Sequence, residues 1–202
     1  MSKTEIFYHG TCHIFDEFSL SCVGKGEGHA KYGRVLYISS SYKTAARYAA
    51  KAAKRNGKEE NYVYTVEVPL LTEDNHLFSC KPVHPNIVER VEAAIKESIP
   101  EEAKDKGKHF RKYLGNLLTG QRRKVSRMIG SANAEAEDKA VELLDSLGIV
   151  FLAWPHAQSK PDGDTNRALL NEKNIKILKI EQVDVDPKNN YIEGSAREIK
   201  SF

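Results

Sequence analysis

Gly33-Arg34-Val35-Leu36-Tyr37-Ile38-Ser39-Ser40-Ser41, running on through Tyr42-Lys43-Thr44-Ala45-Ala46-Arg47-Tyr48-Ala49, is the stretch on which the fold turns. Val35 to Ile38 has the branched and aromatic composition of a strand. Ser39-Ser40-Ser41 then offers hydroxyl oxygens to the unpaired amides of a first helical turn. Ala45, Ala49, Ala52 and Ala53 favour helix from Tyr42 to Lys54, and Asn56-Gly57 stops it. The next run, Tyr62-Val63-Tyr64-Thr65-Val66-Glu67-Val68, is strand throughout and closes at Pro69.

Working outward, Ile6-Phe7-Tyr8 is a short strand-forming run that ends at His9-Gly10-Thr11. A loop from Cys22 to Gly33 carries Gly24, Gly26 and Gly28 but no Gly-Lys-Ser/Thr of a phosphate-binding loop. From about Lys81 to Leu147 the pattern is helical. Pro85 suits a first helical position, and Ile87, Val91, Ile95 and Ile99 recur at four-residue steps. A basic helix with Phe110, Tyr113, Leu114, Leu117 and Leu118 runs to Gly120. A last helix from near Ser131 places Ala140, Val141, Leu144 and Leu147 inward before Gly148. Strands return at Ile149–Ala153, Arg167–Leu170 and Ile175–Ile180. The expectation is one α+β domain over residues 1–183 with a basic helical insertion at about 81–147. Residues 184–202 read as a polar tail that packs little.

The 202 residues are 40% hydrophobic and 29% charged, enough for one well-filled core. The longest apolar run, Gly148–Trp154, is far too short to span a bilayer, so no membrane partner is expected. Met1–Glu5 leads straight into a strand without an apolar leader core. Cys12, Cys22 and Cys80 are odd in number and lack framework spacing, so a reduced, cytoplasmic setting is expected. The net charge of +3 is unevenly spread. Lys104, Lys106, Lys108, Arg111, Lys112, Arg122, Arg123, Lys124 and Arg127 crowd one region in which Asp105 is the single acid. Interleaved with His109, Phe110 and Tyr113, they point to an anionic partner, with nucleic acid held by Lys108, Arg111, Lys112, Arg122, Arg123, Lys124 and Arg127.

Three stretches bear on chemistry: Phe7-Tyr8-His9-Gly10-Thr11; the strand and helix from Gly33 to Ala49; and Asn166-Arg167-Ala168-Leu169-Leu170 ahead of Asn174-Ile175-Lys176-Ile177. In this order they resemble the His-Tyr-Glu group of ADP-ribosyltransferases (the diphtheria-toxin and poly-ADP-ribose-polymerase type), especially its phage- and mobile-element-associated branch. The likeness covers the first seventy residues and Gly148 to Ile180, and leaves the helical block uncovered. It implies a split β-sheet core and transfer of ADP-ribose from NAD, a co-substrate, to a macromolecule. RNA or DNA is favoured over protein by the basic insertion, and no metal is implied.

The resemblance implies that His9 hydrogen-bonds NAD ribose hydroxyls and that Gly10 and Thr11 add backbone and hydroxyl contacts. Tyr37 would stack on nicotinamide, with Ser39 beside it and the Tyr48 ring walling the pocket. The implied glutamate falls on Asn166, which has neither charge nor basicity, so Asp164, or Asp162 further upstream, is the alternative carboxylate. The catalytic set expected is therefore His9, Tyr37 and either Asp164 or Asn166. Toxin, phage-defence and counter-defence roles suit such a chain, a toxin implying an inhibitory partner or antitoxin. The competing readings are a non-catalytic NAD- or nucleic-acid-binding module and an RNA 2′-phosphotransferase-like enzyme. A second His/Arg set for the latter is not found. His9, Cys12, His13 and Cys22 are chemically suited to zinc but lack finger spacing.

Overall fold

The computed structural model describes residues 3–22, 32–121, 133–155 and 165–202. Its centre is a strand pair. β1 (Thr4–Thr11) runs antiparallel to β3 (Tyr62–Pro69) along its whole length, with His9 opposite Tyr64 and Gly10 opposite Val63. Side chains alternate across a pleated strand, so Tyr64, Val66 and Val68 enter a core with Phe7 on one face while Val63 faces α1 (Tyr42–Arg55) on the other.

The remaining strands are β2 (Leu36–Ser39), β4 (His76–Phe78), β5 (Phe151–Pro155), β6 (Thr165–Leu169), β7 (Lys176–Gln182) and β8 (Arg197–Ser201). They complete an eight-stranded open sheet in the order β4-β5-β6-β2-β1-β3-β7-β8, with β4 and β5 parallel and the other pairs antiparallel. The class is mixed α+β, as expected. β1 and β2 meet at a single pair, Tyr8↔Ser39, whereas β1 and β3 share eight and β2 and β6 share four. The sheet is thinly joined at this seam.

Helix α1 begins where the serines predict: the Ser41 side chain accepts from Thr44 N–H. It lies so close on β1 that a Cβ at Gly10 would stand 1.8 Å from the Ala45 carbonyl oxygen. Gly10 is therefore a packing glycine whose missing side chain admits a helix backbone, rather than an opening for a ligand.

Among the described residues the helical block comprises α2 (Pro85–Ile95), α3 (Glu101–Lys104), α4 (Gly107–Leu118) and α5 (Ala134–Ser146). Pro85 occupies a first-turn position, and Ile87 and Val91 are buried as their spacing predicts. The helix ends at Ile95 rather than continuing to Ile99, with Lys96 in the left-handed region at φ 55°. Ile99 still reaches the core, from the following turn, where its N–H donates to a Glu92 carboxylate oxygen at 2.8 Å. α4 and α5 cross closely at Gly115, and Asn133 caps α5 by accepting from Glu135 N–H. Ser131, the expected start of that last helix, lies outside the described residues.

Two strands were not legible in the sequence, β4 and β8. The segment from residue 184 packs more than its polarity suggests. It forms the Val185↔Tyr191 bridge, sets the Tyr191 ring 5.2 Å from that of Tyr42, and returns as β8 along β7. Among the described residues no helix is long and apolar enough to cross a membrane.

Candidate functional site

The strand order makes neighbours of the three sequence motifs: β6, β2 and β1 lie side by side. Register does the rest. Tyr8 faces Ser39, Ser39 faces Asn166, Asn166 faces Trp154, and Tyr37 pairs with Ala168. Residues two apart share a face, so Tyr37, Ser39, Asn166 and Trp154 stand on one surface of the sheet, while His9, two residues after Phe7 and opposite Tyr64, stands on the other. Asn166 is 4% exposed and Ser39 is buried beside it.

His9 occupies the seam. Its Nδ1 lies 2.7 Å from the Tyr37 carbonyl oxygen, a contact between β1 and β2 where their ladder has only one rung. A carbonyl oxygen only accepts, so Nδ1 carries a proton and donates to it. The ring is walled edge-on by Phe18 at 5.1 Å and Tyr64 at 6.2 Å between centroids. Tyr64 fixes that wall. Its ring stacks on Phe15 at 4.6 Å, and its hydroxyl accepts from Phe15 N–H at 2.7 Å while donating to the Phe15 carbonyl at 3.1 Å. Burial pushes the Tyr64 hydroxyl up to about 12, so it stays a neutral donor.

Tyr37 belongs to an aromatic group with Tyr32 and Trp154. Tyr32 lies 6.1 Å from Tyr37 and 4.9 Å from Trp154, and Tyr37 meets Trp154 edge-on at 6.0 Å. Beneath them the Arg111 guanidinium sits 4.7 Å from the Tyr32 ring centre and pairs with Glu137. Burial lowers the Arg111 pKa to about 10, which leaves it charged at neutral pH. The start of β2 is stapled to the same helix: Asp138 accepts from Arg34 N–H at 2.8 Å and from Arg34 Nε at 3.1 Å.

The third motif is anchored from the other face. Arg167, beside Asn166, donates to both carboxylate oxygens of Glu5 at 2.6 and 3.1 Å and lies over the Phe7 and Phe151 rings. Burial works against the Glu5 charge. The Arg167 guanidinium and the Leu71 N–H outweigh it and hold the carboxyl below its ordinary value. The ends of β2 and β6 are tied by Ser40 N–H to the Thr165 carbonyl and Thr165 N–H to Ser40 Oγ, both 2.9 Å.

Other expected site residues fall elsewhere. Thr11 is buried and its hydroxyl accepts from His13 N–H at 3.2 Å, so it braces a turn. Tyr48 stands on α1 with 47% of its surface exposed. Asp162, Asp164, Arg122, Arg123, Lys124 and Arg127 lie outside the described residues. Arg111 corrects the reading of the basic block as a phosphate-binding face: it is 3% exposed and spent on Glu137. Lys104 is likewise held by Glu92 at 3.1 Å and Glu101 at 2.9 Å, and His109 lies 2.8 Å from Asp105. Among the described residues no group of His, Cys, Asp and Glu is placed to hold a metal. Cys12, Cys22 and Cys80 are all free thiols.

Sequence reasoning missed Phe15, Phe18 and Tyr64 around His9, Tyr32 and Trp154 around Tyr37, and the Glu5–Arg167 pair. Only Tyr64 left a signal, its parity in β3. Comparison with known proteins finds no matching family model, no curated relative and no solved structure.

Proposed function

We propose that this chain is a mono-ADP-ribosyltransferase-like enzyme on a split-sheet fold, taking NAD as substrate and moving ADP-ribose to a macromolecular acceptor, RNA or DNA before protein. One observation carries the reading: three motifs far apart in sequence occupy adjacent strands, with the His9 ring bonded to the backbone of Tyr37 where those strands diverge.

The residues present suit NAD in two respects. His9 hydrogen-bonds a ribose hydroxyl at the seam, and the Tyr37 group on the other face of the sheet supplies aromatic faces for nicotinamide. In the reaction the bond between ribose C1 and nicotinamide breaks with its electron pair passing to the ring nitrogen. The acceptor's nucleophile bonds to C1 and gives up its proton. The developing positive charge on the ribose calls for a carboxylate. Asn166 hydrogen-bonds but does not supply that charge, so Asp164, one residue before the anchored Thr165, takes that part. A non-catalytic NAD-binding module is the second reading, favoured by the neutral, buried Asn166 in the glutamate's place.

Calorimetry with NAD tests the site. His9→Ala and Tyr37→Ala should each weaken binding by roughly 1–3 kcal/mol, the scale of a lost buried hydrogen bond or aromatic platform. Unchanged affinity in both folded variants overturns the assignment. Incubation of wild type with labelled NAD and cell lysate, then nuclease or protease, reads the acceptor class from the treatment that removes the label.

A further inference from the structure

The strongest unassigned surface is the outer side of α1. The helix carries Lys43, Arg47, Lys51, Lys54 and Arg55 and no acid. At about 100° per residue these five cations fall within an arc of roughly 120°. That arc lies opposite Ala45, Ala49, Ala52 and Ala53, which are buried against the sheet. The fold neutralises Lys43, whose ammonium pairs with Glu193. It supplies no acidic partner for Arg47, Lys51 or Lys54 among the described residues. In the 104–118 region, by contrast, Lys104 is met by Glu92 and Glu101 and Arg111 by Glu137. A solvated helix face ordinarily mixes signs, and a single-sign face repels itself.

We propose that the outward face of α1, centred on Arg47, Lys51 and Lys54 with Tyr48 at its margin, is a docking track for a single-stranded nucleic acid. Arg47 and Lys51 stand four residues apart, an axial step of about 6 Å, with Lys54 about 4.5 Å further along, so positive charge repeats along the helix as phosphates repeat along a strand. Tyr48 is 47% exposed, with Lys51 Nζ 5.7 Å from its ring centre, and offers a face on which a base stacks. The helix has already spent its small apolar face on the sheet, so it keeps none to insert into a lipid surface. As the acceptor track of a transferase this rests on the reading above. As a nucleic-acid surface it stands without it.

The test is fluorescence anisotropy of a labelled 20-nucleotide single strand with the full chain, across salt and without NAD. The triple variant Arg47→Ala, Lys51→Ala, Lys54→Ala keeps good helix formers at exposed positions and should fold as wild type by circular dichroism. Three phosphate contacts at about 0.7 ions each predict that wild-type affinity falls about 20-fold more than the variant's between 50 and 200 mM salt. Tyr48→Ala should weaken binding about tenfold for the ordinary strand and leave an abasic strand of the same length unaffected. Equal affinity and salt slope in wild type and triple variant overturn the proposal, as does equal capture of poly-glutamate or anionic vesicles. Because NAD is absent from this assay, loss of the transferase reading leaves its outcome unchanged. Calorimetry with NAD on the triple variant reports the pocket separately.

Discussion

Gly10→Ala isolates what this glycine does. A Cβ placed there meets the Ala45 carbonyl oxygen at 1.8 Å, the Ala45 carbonyl carbon at 2.6 Å and Ala49 N at 2.9 Å. All three are helix backbone, so no side chain can swing aside. Restoring ordinary contact requires α1 to retreat by about 1.5 Å from β1, a large overpacking for a single methyl. The retreat loosens Ala45 and Ala46 from Val63 and Val183, and Ala52 and Ala53 from Cys12. Overpacking typically costs about 1–3 kcal/mol, and contact with rigid backbone places this substitution at the upper end, about 3 kcal/mol. For a chain of this size that lowers Tm by about 6–12 °C. Scanning calorimetry on wild type and variant measures it. A variant melting within about a degree of wild type but unable to bind NAD would refute the packing argument and restore Gly10 to the ligand.

Arg111→Met should destabilise by about 3–5 kcal/mol, because it strands Glu137 in the interior. Adding Glu137→Leu should recover most of that in urea melts, and equal melts for both variants would show that the pair is not coupled. The Glu5 carboxyl is held below its ordinary value, so its contribution to stability is complete above the ordinary carboxylate range and is lost as pH falls through the lowered value. Wild type should therefore lose stability in that acid window more steeply than Glu5→Gln, and parallel melting curves would count against the Arg167 pair. On the proposed reaction, Asp164→Asn should abolish transfer with NAD affinity near wild type, while Asn166→Ala is mild. Full activity in both variants would show that the third position is held by another residue.

What the sequence made legible is what neighbours in the chain determine. The serine cap and alanines of α1, the alternation of β3 and the proline opening α2 all depend on residues within one or two turns, and each stands where it was read. β4 was missed because three residues, His76 to Phe78, carry too little periodicity to register. β8 was missed because its five residues are all exposed and hold their place by pairing with β7. The site divides in the same way. His9 and Tyr37 are marked by the motifs around them. The walls of the His9 ring come from Phe15, Phe18 and Tyr64, which only folding brings near. The basic block divides for the same reason, since Lys104 and Arg111 meet Glu92 and Glu137 only when neighbouring helices bring those carboxylates in.

The single rung between β1 and β2 gives the molecule the construction of a bound book. On one face the core of Phe7, Leu36, Ile38, Tyr64, Phe151 and Leu169 runs unbroken across the join, like a spine. On the other, the cluster over β2, β5 and β6 and the smaller one under α1 are separate covers. Whatever enters between those covers widens the gap against one backbone pair, while the shared spine, with the His9 ring on its side, stays dry. Breathing at this join is therefore cheap on the side that carries Tyr37 and Asn166 and expensive on the side that carries Arg167. Amide exchange should register that lopsidedness as early labelling of Tyr37, whose N–H faces the seam, while Ile38, Val66 and Leu169 remain protected.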